Sequence, residues 1–312
     1  MTVSALCGQF RSLFIQLFLI ISFLFTNSCA RATTRPGFSL PPPEVRTELS
    51  AKAVEPGRVS LLTLVLKEKP FQRTVLAEFN GNSFPFFPLS KTEDGTYGAL
   101  LAIPYDEKLG STTVKVQIGD GESITRFEIP LEIVEGHYGS ERLKVDGSRV
   151  NPQQKKVLAR IKREQSEVAE IYKKITPRRY WEGPFSLPIQ SSITSAFGTK
   201  RIYNGKLKNF HPGLDLKASL RTPVNAAEGG VVVMAKSLFY TGYTVMIDHG
   251  YGIITLYAHL SQLKVKKGQV VSLGEVIGLS GKTGRVNGPH LHWQAVVNKV
   301  KVDPLGLTKV LR

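Results

Sequence analysis

The chain has 312 residues, of which 42% are hydrophobic and 21% charged, a composition that excludes wholesale disorder and supports two packed cores. Its mean hydropathy of −0.07 leaves room for one membrane-length apolar stretch and excludes a bundle of several membrane spans. The net charge of +16 lies entirely in residues 151–312, which hold 25 basic and 9 acidic residues; this asymmetry indicates a polyanionic partner, such as nucleic acid, an anionic membrane surface or an anionic wall polymer.

The first 30 residues predict a secretory signal. Arg11 is followed by an uncharged stretch, residues 12–30, with an apolar centre and an exit of small residues. This order is typical of an export signal, and a retained membrane anchor fits the same residues. We therefore expect export to the cell envelope or periplasm, and no nucleic-acid partner.

Both cysteines of the chain, Cys7 and Cys29, lie in this N-terminal segment. An exported domain without further cysteines cannot be held by disulfides and depends on its packed cores. Cys29 follows Thr-Asn-Ser, which resembles a bacterial lipoprotein cleavage site, so acylation at Cys29 and ordinary cleavage after Ala30 or Ala32 both stay open. A lipid or a retained anchor would attach the N-terminus to a membrane.

Two segments follow the signal. Residues 31–50 are rich in proline, with three consecutive prolines at 41–43, and predict a stiff, extended tether. Residues 51–147 contain short β-rich runs separated by Asn-Gly and Asp-Gly dipeptides, which suit tight hairpin turns. This spacing predicts a β-sandwich of immunoglobulin-like outline. No catalytic constellation appears in it.

Residues 151–176 predict one amphipathic helix that links two domains. Asn151 can cap a helix and Pro152 suits its first position. Apolar residues recur at three-, four- and seven-residue steps among many charged ones, namely Leu158, Ile161, Val168, Ile171, Tyr172 and Ile175. Pro177 ends the pattern. We expect the apolar stripe to pack on a neighbouring domain.

Residues 181–312 return to short β runs with glycine punctuation, which predicts a second all-β domain. The clearest strands cover residues 231–235, 244–247, 253–258 and 291–297. Five of the six histidines of the chain fall within this domain. Any chemistry is therefore expected here.

Two histidine-containing motifs of this domain could bind a metal. His211 and Asp215 flank a Pro-Gly bend, which excludes a helix and turns both side chains inward. His290 and His292 lead into a strand, where residues two apart share a face. Two histidines and a carboxylate suffice for a catalytic zinc, which takes three protein ligands. The competing interpretation is that these are ordinary hydrogen-bonding histidines.

Five segments of this domain resemble lysostaphin/LytM-type zinc metallopeptidases, in that family's order. They include Phe-Gly, His-Pro-Gly-Leu-Asp, Ile-Asp-His-Gly, Tyr-Ala-His-Leu-Ser and a glycine-rich stretch that ends in His-Leu-His-Trp. These segments are residues 197–198, 211–215, 247–250, 257–261 and 281–293. The resemblance covers roughly residues 185–306.

The resemblance implies a groove-bearing antiparallel β-sheet with one zinc ion per chain, held by His211, Asp215 and His292. It implies that His259, which ends the predicted strand 253–258, and His290 are catalytic without binding the metal. The implied function is hydrolysis of peptide cross-links in bacterial peptidoglycan, with a metal-bound water as nucleophile and peptide stems as partners. Which of the two catalytic histidines is the base, and which bond is cut, stay open.

The main alternative within the same resemblance is a catalytically silent regulator that binds the cell wall and acts on another wall hydrolase. Such family members lack the ligands, whereas this chain has all five site residues. His249 matches a family position that is not usually a ligand, and we expect a structural role for it.

Overall fold

The computed structural model of the chain describes residues 45–66, 74–89, 95–119, 124–143, 152–203 and 207–311. The predicted signal or anchor at residues 1–30, with Cys29, lies outside these ranges, as do residues 31–44 of the predicted tether. The described residues are mainly in β-strands, as the sequence predicts. Among them, no helix has the length and apolar content needed to span a bilayer.

The N-terminal part contains two β-sheets. Its strands are β1 (Val45–Leu49), β2 (Ala53–Val54), β3 (Val59–Leu66), β4 (Thr74–Phe79), β5 (Asn82–Pro85), β6 (Phe87–Pro88), β7 (Thr96–Ala102), β8 (Gly110–Gly119), β9 (Ile124–Ile133) and β10 (Ser140–Leu143). One sheet has the order β1-β3-β7-β6 and the other β2-β9-β8-β4-β5. All pairs in both sheets are antiparallel except β2 with β9.

Alternation of apolar residues explains how these two sheets share a core. Leu62 and Leu64 of β3 are fully buried, and so are Val116 of β8 and Phe127 of β9, in one continuous hydrophobic cluster. The predicted tether extended too far, because Val45–Leu49 form strand β1, which pairs with β3 and buries its two end residues. The immunoglobulin-like outline of the sheet pair stays a prediction.

Helix α1 spans Lys155–Lys173. Pro152 lies three residues before it, so the expectation that this proline opens the helix is wrong, and Gln154 stands at the N-cap without a side-chain cap bond. Val168, Ile171 and Tyr172 pack against a small hydrophobic cluster of the C-terminal sheet. The helix therefore covers part of one face of that sheet.

The C-terminal part is built around one large sheet. Its elements are β11 (Ile193–Ser195), β12 (Lys200–Tyr203), β13 (Leu207–Phe210), β14 (Leu214–Lys217), β15 (Pro223–Asn225), β16 (Gly230–Leu238), β17 (Gly242–Gly250), β18 (Ile253–Leu263), β19 (Val270–Val271), β20 (Val276–Ser280), β21 (His290–Val297), β22 (Val300–Val302), a 3₁₀ turn (Pro304–Gly306) and α2 (Leu307–Val310). The sheet has the order β11-β14-β21-β18-β17-β16-β19, with β15 and β22 attached through β20 and β21.

The two faces of strand β21 carry different side chains. Leu291 and Trp293 point into the main hydrophobic core and are fully buried. The alternate residues His292, Gln294 and Val296 share the opposite face, since side chains two apart on a strand point the same way. Val296 belongs to the cluster under helix α1. The histidines and the helix therefore lie on the same face of the sheet.

The N-terminal and C-terminal parts contact each other beside this face. The ring of Tyr105 stacks on Phe210 at a centroid distance of 4.2 Å, and its hydroxyl donates to the carbonyl of Gly198 at 3.0 Å. Arg58 forms an ion pair with Asp303. Strand β10 pairs in parallel with β12. The segment just before His211 is therefore held from the N-terminal side.

Candidate metal centre

Three neighbouring strands of the large sheet bring the predicted site residues together. Asp215 on β14 lies opposite His292 on β21 in the antiparallel register. On the other side of β21, His292 lies opposite Ala258, next to His259. His211 precedes β14 by three residues and is fully buried. The side chains that the sequence analysis singled out thus converge from positions up to 81 residues apart.

His211, Asp215 and His292 form a compact triangle of donor atoms. The Nε2 atom of His211 lies 3.0 Å from Nδ1 of His292 and 3.0 Å from Oδ1 of Asp215. The third edge, between Nδ1 of His292 and Oδ1 of Asp215, is 2.9 Å. Ligand atoms of a tetrahedral zinc with bonds of 2.0–2.1 Å stand about 3.3 Å apart. A small outward adjustment of these side chains would therefore accommodate the ion.

The hydrogen bonds of His211 determine which of its two ring nitrogens carries the proton and which one presents a lone pair to the triangle. Nδ1 lies 3.0 Å from the carbonyl oxygen of Ala196, and because a carbonyl only accepts, Nδ1 carries the proton. In the neutral ring, Nε2 is then an acceptor that faces another acceptor, Oδ1 of Asp215, at 3.0 Å. Such a buried contact requires a cation or a proton between the two atoms. The donor set fits a divalent metal.

Burial and the neighbouring imidazoles act in opposite directions on the charge of Asp215. Burial alone would raise the pKa of this carboxyl, but its contacts with His211 and His292 outweigh burial and hold the pKa well below its usual range. Burial lowers the pKa of His292, which the contact with Asp215 partly offsets. An ionised carboxylate beside neutral imidazoles is the protonation state that metal binding needs.

His259 and His290 stand at the open side of the triangle, with ring centroids 4.9 Å apart. Nδ1 of His259 donates to the carbonyl of Thr283 at 2.8 Å, and Nδ1 of His290 donates to that of Gly288 at 3.0 Å. Both rings therefore keep Nε2 as the basic nitrogen. Nε2 of His290 lies 3.7 Å from Oδ1 of Asp215.

The expectation that His259 ends its strand is wrong. Strand β18 continues to Leu263, and His259 interrupts it with a φ of 63° where the register with β17 shifts. Such a β-bulge re-aims one side chain without ending the strand. Burial, together with the nearby His292 and His290, lowers the pKa of His259 to about 3, so its ring is neutral at neutral pH.

Three residues that the sequence analysis missed form hydrogen bonds to the candidate ligands or to one another. Arg201 donates to Oδ2 of Asp215 at 2.6 Å, and its Nε donates to Glu141 at 2.5 Å. Ser195 lies 3.2 Å from Nδ1 of His211. No local pattern marks these residues, because their partners are 14 to 60 positions away in sequence.

A cavity of about 460 Å³ continues from the metal-site residues His259 and His292 along the face of the sheet. Helix α1 forms one of its walls through apolar residues that include Val168 and Tyr172. The hydroxyl of Tyr172 accepts a hydrogen bond of 3.0 Å from Gln294, two residues beyond His292. The helix therefore limits how far a ligand can extend over this face.

His249 does not join the cluster. It is fully buried, its Nδ1 donates to the carbonyl of Gly229 at 2.6 Å, and its Nε2 lies 2.7 Å from the hydroxyl oxygen of Thr255. Burial lowers its pKa to about 4, although the bond to Gly229 acts in the opposite direction. Both ring nitrogens are therefore used in packing the sheet.

Comparison with known proteins identifies the domain that carries this site. Residues 209–304 match Peptidase family M23, so the resemblance predicted from the sequence is confirmed for this domain. Peptidoglycan DD-endopeptidase ShyA of Vibrio cholerae is 46% identical over 121 residues, which are 38% of this chain and 28% of that protein. DD-carboxypeptidase/endopeptidase Mpg of Neisseria meningitidis is 40% identical over 119 residues, 38% of this chain and 27% of that protein.

The match to solved structures extends beyond this domain. A Pseudomonas aeruginosa protein assigned to peptidase M23 superposes with a TM-score of 0.62 and 27% identity, covering 82% of this chain and 95% of that one. The matches to the two curated relatives are shorter, and the chain spans only about a quarter of the length of those proteins. The arrangement of both β parts is thus shared with a solved protein.

Proposed function

From the peptidase M23 domain at residues 209–304, we infer that the chain is a zinc-dependent endopeptidase that hydrolyses peptide cross-links of bacterial peptidoglycan. The observation that carries this proposal is the donor triangle of His211, Asp215 and His292 with two unligated imidazoles beside it. The names of ShyA and Mpg, both endopeptidases, support the substrate class.

The three ligand side chains would hold one zinc ion per chain. A bound zinc lowers the pKa of water to about 7 and polarises the scissile carbonyl, which supplies hydroxide at neutral pH. His211 presents Nε2 because its other nitrogen is held by Ala196. Asp215 presents Oδ1 because Arg201 occupies its second oxygen. The chain thus orients His211 and Asp215 before the ion arrives.

His259 and His290 are proposed to handle the protons of the reaction. Each ring donates from Nδ1 to a backbone carbonyl, so each Nε2 can accept a proton from the attacking water or donate one to the leaving amine or the developing oxyanion. Burial lowers the pKa of His259, so this ring is unprotonated before the reaction. Positioned acid–base groups of this kind contribute roughly 10²–10⁴-fold to turnover.

The cavity beside the metal centre is proposed to hold the peptide on one side of the scissile bond. Its apolar lining includes Tyr240 and Leu256, and its cationic lining includes Arg285 and Lys301. These cations suit the carboxylates of a peptide stem. The basic excess of residues 151–312 would draw the same half of the protein to anionic wall material.

We also propose that the chain acts in the cell envelope or periplasm. The proposal is supported by the uncharged apolar stretch at residues 12–30, which is typical of an export signal. Attachment through a retained anchor or through acylation of Cys29 is compatible with this location.

Muropeptide analysis tests the proposed reaction. Purified sacculi would be digested with the zinc-loaded full-length protein, and the soluble products separated and weighed by mass spectrometry. We expect new products with one hydrolysed peptide bond and intact glycan bonds, lost after chelation and restored by zinc; their masses identify the bond. An unchanged muropeptide profile with the zinc-loaded protein would contradict the enzyme and favour the silent wall-binding regulator.

A further inference from the structure

The metal centre receives a contact from a strand that lies outside the matched domain. Strand β10 precedes helix α1, and it pairs in parallel with β12 in a three-stranded sheet of order β10-β12-β13. In this register Glu141 of β10 lies beside Arg201 of β12. The N-terminal part of the chain is thereby separated from Asp215 by one intervening side chain, that of Arg201.

Arg201 connects Glu141 to the carboxylate ligand. Its Nε donates to Oε1 of Glu141 at 2.5 Å, and its terminal nitrogen donates to Oδ2 of Asp215 at 2.6 Å. The side chains of Arg201 and Asp215 are only 15% and 9% exposed, so water screens this arrangement little. Oδ2 of Asp215 is thus occupied, and Oδ1 alone faces the two imidazoles.

Ser195 provides a second connection, to the histidine ligand. Its hydroxyl donates to Oε1 of Glu141 at 3.2 Å. Its oxygen then accepts from Arg201 at 3.1 Å, and it shares the single Nδ1 proton of His211, at 3.2 Å, with the carbonyl of Ala196. Each group in this network has the donor or acceptor character that its partner needs. Glu141 therefore reaches two of the three ligands, each through one intermediate side chain.

The charges in this network explain why an acidic residue is needed at position 141. A guanidinium next to the proposed zinc site would repel the divalent ion, since like charges in a partly buried site are costly. The Glu141 carboxylate offsets the charge of Arg201 while leaving its hydrogen bond to Asp215 in place. Without Glu141, Arg201 would lose the acceptor of its Nε, so its hold on Asp215 would be less fixed and the carboxylate could rotate to present both oxygens.

We propose that Glu141 is a positioning residue of the metal centre, contributed by the N-terminal part of the chain. It fixes Arg201, so that Asp215 presents a single oxygen, and it fixes Ser195 beside Nδ1 of His211. This inference rests on the proposed function, because it requires that His211, Asp215 and His292 bind zinc. Residues that orient metal ligands typically change metal affinity 10–100-fold when they are mutated.

Zinc affinity of the full chain tests the proposal, measured by competition with a chromophoric chelator. We expect Glu141→Ala to bind Zn²⁺ roughly 10–100-fold more weakly than the unmodified protein. Glu141→Gln, which keeps an oxygen acceptor of the same size, should fall between the two and carries the test if the alanine variant does not fold. The matched control is Arg142→Ala on the same strand, whose side chain is exposed and which should bind zinc normally.

The visible spectrum of the Co²⁺-loaded protein provides a readout that a general loss of stability would not move. A second Asp215 oxygen on the metal raises its coordination number, so the d–d bands of Glu141→Ala should weaken relative to those of Arg142→Ala. Equal zinc affinity in Glu141→Ala, Glu141→Gln and the unmodified protein, with identical cobalt spectra, would overturn the inference. Failure of the unmodified protein itself to bind zinc would instead overturn the proposed function.

Discussion

The N-terminal and C-terminal parts of the chain are both built from β-strands, but they bury different kinds of side chain. Of the 14 buried polar or charged residues in the described part of the chain, 13 lie beyond residue 210, and Ser60 alone lies in the N-terminal sheets. Burying a polar group is unfavourable unless it is hydrogen-bonded. Four of the 13, His211, Asp215, His259 and His292, belong to the candidate metal centre, so the C-terminal part buries polar groups both at that centre and elsewhere in its sheet.

The same comparison shows that the N-terminal part contributes support rather than reactive groups. Tyr105 contacts Phe210 and Gly198, and Glu141 contacts Arg201 and Ser195. None of these groups lies in the donor triangle. Among the described residues, the N-terminal part therefore reaches the candidate metal centre only through residues of the C-terminal part.

The largest effect is expected from a ligand of the C-terminal part. Asp215→Ala removes the only carboxylate of the triangle and should abolish zinc binding and cross-link hydrolysis, as measured by metal analysis and by muropeptide analysis of treated sacculi. Asp106→Ala, which removes an exposed carboxylate from the N-terminal part, should keep both. Full zinc content in Asp215→Ala would contradict the assignment of Asp215 as a zinc ligand.

The second largest effect distinguishes the proposed metal ligands from the proposed catalytic histidines, which lie on the same face of the sheet. His259→Ala and His290→Ala should keep about one zinc per chain and lose roughly 10²–10⁴-fold in turnover, because each removes a proton-transfer group and no ligand. His292→Ala should lose the metal as well. If either of the first two variants loses zinc as readily as His292→Ala, the assignment of ligands and catalytic histidines is wrong.

The sequence predicts those parts of the site that depend on local periodicity. The alternation of a strand places His290 and His292 on one face, and the structure has them on β21. The convergence of His211 and Asp215 on that face comes only from the family resemblance, since it depends on the pairing of β14 with β21. The residue pattern within a single strand does not predict which strands pair.

The features that sequence patterns missed share one physical cause. The sequence predicts that the strand ends at His259, because a bulge there places a non-glycine residue at positive φ, which is uncommon. The bulge is visible only in the pairing of β18 with β17. Glu141 looks like one more exposed charge of a polar segment, and its partner Arg201 is 60 residues away. Long-range contacts decide both roles.

A smaller effect is expected on the stability of the protein in acid, through one buried histidine of the C-terminal part. His249 has a folded pKa of about 4 against an unfolded value of 6.5, so between these pH values the unfolded chain binds a proton that the folded chain does not. The free energy of unfolding should therefore fall as pH drops from 6.5 to 4, by an amount on the order of 3 kcal/mol from this residue.

Denaturant unfolding of the metal-free protein at several pH values measures this loss. His249→Gln should be less stable at neutral pH, because it loses two ring hydrogen bonds, but its stability should depend less on pH over that window. His137→Gln is the control, since His137 is exposed in the N-terminal part. An unchanged pH slope in His249→Gln would show that other groups carry the acid sensitivity.

The smallest effect concerns the charge difference between the two parts. Lys266→Glu with Lys267→Glu reverses two exposed charges of the C-terminal part and should weaken sedimentation with purified sacculi, most clearly at low salt. Charges on a surface are screened over about 8 Å at physiological ionic strength, so binding should also fall as salt rises. The matched reversal at Lys52 and Lys115, exposed in the N-terminal part, should have less effect. Equal losses, or binding without salt dependence, would argue that the N-terminal sheets recognise the wall.

A crystal structure of the zinc-loaded full-length protein, with anomalous data collected at the zinc edge, tests the central claim most directly. The account predicts one anomalous peak per chain, about 2.0–2.2 Å from Nε2 of His211, Oδ1 of Asp215 and Nδ1 of His292. It also predicts that no nitrogen of His259 or His290 coordinates the ion. A peak coordinated by either of these two histidines, or no peak within the triangle, would contradict it.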